Sequence, residues 1–330
     1  MFDFSSRTAF QILSQTKGFI LFRVIVYFGV ALGIILAAGT GAGIGWGIGA
    51  FGEDDFQISS TFWGGGIGFA LSMGVLFFFR DYLLYLVKAA HIALMVEFLE
   101  GRAIPTGREQ ITFGQAIVKE RFAAASILFG LDRLITGVLR AVTGLVEGLL
   151  AILPIPGLDK VMPLVRGFLK VAVGLIDEVI LAEIIRRKTD DPYTVAKQSL
   201  VLYAQNAKPV MKNAALITLF SWLLGAAVFL IMLLPAGFIV WLMPGTSTAM
   251  TFMIAIAFAW ATKAALVEPF ALACILQVYY KVTEGQVPKP EWEAKLNSLS
   301  AKFKQLGEKA VGWATGGRAA PKEAAPPTAM

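Results

Sequence analysis

A single cysteine, Cys274, and a single histidine, His91, occur in the 330 residues, and only 16% of the chain is charged. One cysteine excludes an intrachain disulfide and any metal site built on a cysteine cluster. One histidine leaves too little for a zinc centre or a histidine-dependent catalytic group. A G-x-x-x-x-G-K-[ST] phosphate loop is also missing, although glycine falls at every second position through GTGAGIGWGIG (39–49). No nucleophile stands beside a base in a motif. These absences read as a protein that is not an enzyme and uses neither metal nor cofactor.

Hydrophobic residues are abundant, at 57% of the chain with a mean hydropathy of +0.69. Soluble domains carry about 25% charge and roughly 45–50% apolar residues. The excess is arranged in long blocks, among them GFILFRVIVYFGVALGIILAAG at 18–39. About 20 apolar residues in a helix match the hydrocarbon thickness, and only helices or closed barrels satisfy their own backbone there. The blocks lack the period-2 alternation of barrel strands. The fold class is therefore all-α, a polytopic integral membrane protein, with the first block kept as a signal anchor.

The net charge of +6 comes from cations that flank the blocks, which reads as a topology signal and not as a nucleic-acid surface. Glu53, Asp54 and Asp55 follow the first block without a cation, so that loop faces outward. The clusters from Arg80 to Arg121 and from Arg186 to Lys212 face inward, as do the cations after the last block. An even number of crossings must lie between the two inner clusters. The favoured expectation is six spans, at 18–39, 61–80, 122–153, 160–187, 213–234 and 250–272, with both termini cytoplasmic in the inner or plasma membrane. The alternative is four spans plus an interfacial hairpin.

That hairpin carries an unusual repeat. GLDRLIT, GVLRAVT and GLVEGLL run in tandem, and the pattern resumes after PIPG as GFLKVAV and GLIDEVI. Gly130, Gly137, Gly144, Gly167 and Gly174 share a face with Arg133, Arg140, Glu147, Lys170 and Asp177. Glycine permits close backbone approach in membranes. Antiparallel packing about residue 158 sets Glu147 against Lys170, Arg140 against Asp177 and Glu183 near Arg133. An unpaired charge at mid-bilayer costs about 2.5–3.5 kcal/mol on the lenient scale, so pairing decides whether such helices insert. The pairs could fix register alone, or line a hydrated path together with the surplus Arg166, Asp132 and Glu178.

Other features fit the same picture. Gly41, Gly45 and Gly49, with Gly64 and Gly68, read as the packing seam of a hairpin between the first two blocks. Lys263 and Glu268, followed by Pro269, lie inside the last block and are candidates for ion pairing or a substrate site. Arg23 is read as snorkelling to the interface and His91 as a packed histidine. Asp190 or Asp191 caps a helix that opens at Pro192. Residues 286–315 form an amphipathic helix for the membrane surface, a coiled coil or intramolecular docking. The tail, 316–330, is disordered. The functional expectation is an oligomeric transporter or channel for an ion or small charged solute. Its alternative is a non-transporting scaffold, assembly factor or accessory subunit, with the lipid bilayer and a homo-oligomer or membrane complex as partners and no nucleic acid.

Overall fold

The computed structural model describes residues 3–122, 125–152, 158–188, 190–241 and 248–315, and every regular element among them is helical. In chain order these are α1 (Ser6–Gln15), α2 (Lys17–Gly49), α3 (Asp54–Leu99), α4 (Glu109–Phe122), α5 (Ala125–Ile152), α6 (Leu158–Arg187), α7 (Pro192–Gln205) and α8 (Ala207–Trp241). Then α9 (Thr248–Thr262) runs through a π-helical turn (Lys263–Val267) into α10 (Glu268–Thr283), followed by α11 (Pro290–Leu299) and α12 (Ala301–Ala314).

Local chemistry marks the ends. Ser5 caps α1 by accepting from the Thr8 amide at 3.2 Å. Asp54 and Asp55 occupy the first turn of α3, where a carboxylate meets the positive end of the helix dipole. That helix ends on Gly101 at φ +71°. The Arg102 amide reaches back to the Glu97 carbonyl at 2.9 Å and the Gly101 amide to Phe98 at 3.0 Å, a closure that needs a left-handed residue. Asp191 caps α7 at 3.0 and 3.1 Å, with Pro192 in the first turn, as the sequence predicts.

Two cores divide the molecule. The larger joins Ile12 and Phe19 to the C-terminal third of α3, the start of α5, the end of α6, and α7, α10, α11 and α12. The smaller holds Tyr27, Ala31, Ala236, Val240 and Ile254 with the residues around the π turn. Around the smaller core, large apolar side chains point outward: Leu36, Ile58, Trp63, Leu71, Leu230 and Phe238 are all more than half exposed. Leaving a Leu or Phe in water forgoes about 1.5–3 kcal/mol each. An apolar solvent removes that penalty. Among the described residues three helical stretches are long and apolar enough to cross a membrane: Lys17–Gly49, Ala207–Trp241 and Met250–Thr283. The expected spans in α3, α5 and α6 are not among those three.

Close packing joins α2 to α3. A Cβ at Gly41 would collide with the Gly64 carbonyl, one at Gly45 with that of Ser60, and one at Gly68 with that of Ala37. Small side chains are obligatory along this seam. Gly43 and Gly47 face open space.

The C-terminal amphipathic segment breaks into α11 and α12 at Ser300, which is extended and caps α12 through the Phe303 amide. Its apolar face does not lie free for a membrane surface. Leu296, Phe303, Leu306 and Ala310 are buried in the larger core, the Trp313 indole donates to the Asp190 carbonyl at 2.7 Å, and Lys197 pairs with Glu293 at 2.6 Å. The stripe found an intramolecular partner in α7 and α5. The N-terminal segment is tied down as well. Lys281 and Asn213 each donate to Asp3 at 3.0 Å, and these bonds hold its carboxyl below the usual range.

Candidate functional site

The smaller core meets the larger one at a group of charged side chains. Its centre is the π turn. The Glu268 amide bonds to the Lys263 carbonyl, five residues back. In the same register the next amide, at 269, would serve Ala264. Residue 269 is proline and has no N–H. Arg23 takes the vacant carbonyl: its Nη2 donates to the Ala264 oxygen at 2.5 Å. The guanidinium also lies 5.3 Å from the Tyr27 ring centroid and 4.0 Å from the Glu268 carboxylate. Arg23 is only 2% exposed, so it is held inside the protein and does not snorkel outward.

Beside it, Lys88 of α3 donates to Glu178 of α6 at 2.6 Å. Thr136 of α5 donates to Asp177 of α6 at 3.1 Å. Asp132 lies beside Asp177 and Tyr85.

Lys88, Asp132, Thr136 and Glu268 border a cavity of about 330 Å³. One wall is a face of α5, where Asp132, Arg133, Thr136 and Arg140 recur at helical spacing. Glu268, Trp260 and Ala264 of the π-turn helix, with Tyr27 of α2, line the cavity as well. Leu84, Tyr85 and Lys88 of α3 complete it. The Tyr27 and Trp260 rings meet edge to face, with centroids 5.6 Å apart.

Of the residues singled out from sequence, Arg133, Arg140 and Glu268 come together at this cavity, and Asp177 touches its α5 wall through Thr136. Others go elsewhere. Glu183 gives its oxygens to Arg186 and Arg187 at 2.7 and 2.6 Å, within its own helix. Lys170 is exposed. Lys263 runs along α8, with its Cδ 3.7 Å from where a Cβ on Gly225 would sit. Glu178, one of the hairpin's surplus charges, is taken by Lys88. The side chains of Glu147 and Arg166 lie outside the described residues.

The glycines of the heptad do not form a common seam between α5 and α6. Among the described residues, a Cβ on Gly130, Gly144 or Gly174 would meet nothing within 4 Å. Gly137 faces Lys302 of α12, and Gly167 faces Trp222 of α8. What α5 and α6 turn inward is their apolar stripe, Leu131, Ile135 and Val138 against Ile176, Val179 and Ile180.

Arg23 and Lys88 were the members that sequence reasoning passed over. Both interrupt apolar runs, and an ionisable group in such a run is itself a signal. His91 is packed, as expected. Its Nε2 lies 3.0 Å from the Thr16 hydroxyl, which donates to the Ile12 carbonyl at 2.9 Å. The hydroxyl therefore accepts from His91, which places the ring proton on Nε2.

No known protein family, curated protein or solved structure matches the chain.

Proposed function

We propose that this is a multi-pass membrane protein that admits a small charged solute into the cavity between α5 and the π-turn helix, as a transporter or channel. One observation carries the reading: a cavity lined by both signs of charge sits where apolar helices α2 and α9–α10 pack. Charge held at such a place is costly unless it has work to do. The chain stands in the cell membrane with both termini on the cytoplasmic side.

The crossings are α2, the N-terminal half of α3, α8 and α9–α10, with the α5–α6 hairpin entering from the cytoplasmic side. The register of α6 on α8 supports this count over six. Gly167 packs against Trp222. From there α8 continues nineteen residues to Trp241, about 28 Å, while α6 has only nine left to Leu158, about 14 Å.

Uptake into proteoliposomes tests the function. Vesicles holding the full chain are challenged with a panel of small labelled anions, cations and zwitterions. At least one is expected to enter faster than into empty vesicles. Arg140→Leu should slow that entry at least tenfold, and Lys295→Leu, on the far α11 surface, should not. If nothing enters, and a stoichiometric partner instead co-purifies from native membranes, the protein is a scaffold or accessory subunit and the proposal is wrong.

A further inference from the structure

The cavity's charges are not equally satisfied. Lys88 is held by Glu178 at 2.6 Å. Arg23 is held by the Ala264 carbonyl at 2.5 Å, and Asp132 lies beside Asp177 and Tyr85. Two groups are left over. Arg140 is exposed toward the cavity, and among the described residues it makes no hydrogen bond or ion pair. Among the described residues, the Glu268 carboxylate has only Arg23, at 4.0 Å, beyond hydrogen-bonding range. These two groups belong to different helices that line the cavity. The unmet cation lies on α5 with Arg133 on the same face, and the unmet anion lies on α10 beside the Tyr27 and Trp260 rings.

We infer that the cavity receives a compact zwitterion, an amino acid or betaine, with its anionic end on Arg140 and its cationic end at Glu268 and the Tyr27–Trp260 rings. This deepens the solute reading above and rests on it. A lone anion on Arg140 would leave Glu268 facing it with the same sign, and a lone cation at Glu268 would leave Arg140 unanswered. A solute with both charges meets both. Carboxylates pair well with guanidinium, whose planar fork offers several donors. Ammonium groups, quaternary ones included, are attracted to aromatic faces. At about 330 Å³ the volume falls at the low end of the roughly 300–1,000 Å³ typical of ligand sites, which selects a small solute.

The test is binding, separate from flux. The full chain, purified in detergent, is melted in the presence of glycine, γ-aminobutyrate or glycine betaine. The separate halves, acetate and tetramethylammonium, are run singly and together. At least one zwitterion is expected to raise the melting temperature saturably, beyond either half or the mixture. Arg140→Gln and Glu268→Gln should each weaken that zwitterion at least tenfold, and Lys295→Gln should not. Because Arg140 is exposed, Arg140→Gln is expected to keep wild-type helicity by circular dichroism and decides the matter alone. Three results overturn the inference: no zwitterion outperforms the halves, a zwitterion binds but Arg140→Gln leaves it unchanged, or one half alone binds as tightly. In the last case the solute cavity survives and only the substrate class falls.

Discussion

At residue 269 a missing amide hydrogen sets the arrangement of the site. The Ala264 carbonyl has no backbone donor in the π register, and Arg23 supplies one from another helix at 2.5 Å. Arg23→Met should therefore cost about 1–3 kcal/mol, the usual penalty for a buried acceptor left unpaired. Pro269→Ala should change the outcome, because alanine returns an N–H to that position. In the double variant the Arg23→Met loss should shrink, giving a coupling of about 1 kcal/mol by equilibrium unfolding in mixed micelles. Additivity within about 0.5 kcal/mol would remove the explanation. Part of this was legible beforehand. Lys263, Glu268 and Pro269 stand out as polar or helix-breaking residues in an apolar run, and Glu268 does line the cavity. The role of Arg23 was not legible. Its depth along α2 can be counted from the sequence, but the carbonyl opposite it belongs to a residue 241 positions away.

Between elements, α2 and α3 are held by a seam that tolerates no side chain on one face of α2 and any small one on the other. Adding one methyl group should thus have opposite signs at neighbouring positions. Gly41→Ala drives a Cβ into the Gly64 carbonyl and should destabilise by roughly 1–3 kcal/mol, as overpacking does. Gly43→Ala meets open space and should be neutral or stabilise by up to about 1 kcal/mol, the helix-propensity gain over glycine. Melting of both variants in detergent checks the pair, and equal effects would mean the seam is not packed this way. This spacing was readable because glycines four apart on both partners define a face and its complement. The heptad of α5 and α6 had an equally clear period, yet its direction was ambiguous. A periodic glycine-and-charge stripe looks the same whether it faces a partner helix or the outside. The outcome was set by the opposite stripe, since Leu131, Ile135 and Val138 bury more apolar surface inward than a glycine seam could. The C-terminal segment was undetermined for a similar reason, its amphipathic face fitting a membrane or a protein equally well.

For the whole molecule, an ordinary core stands beside an apolar exterior that carries the three helices long and apolar enough to cross a membrane. Helix α3 makes the boundary visible. Its 46 residues span about 69 Å, more than twice the roughly 30 Å hydrocarbon thickness. Trp63 and Leu71 are exposed near its start, whereas Ala89 to Val96 sit in the larger core. The cavity lies between those two zones, bordered by residues 84–88 of the same helix. A hairpin entering from the core side and stopping partway would place Arg133 and Arg140 at this boundary without carrying them across. Accessibility of Gly157, which lies between α5 and α6 in the sequence, tests that placement. Cys274 is buried, so a single added cysteine is the reactive thiol in intact vesicles. With a membrane-impermeant maleimide, Lys188→Cys should be labelled from one side only. Gly157→Cys should resist labelling from the opposite side. Labelling of Gly157→Cys from that opposite side would mean that α5 and α6 cross completely. The chain would then have six spans, and the charged wall of the cavity would continue as a transmembrane helix.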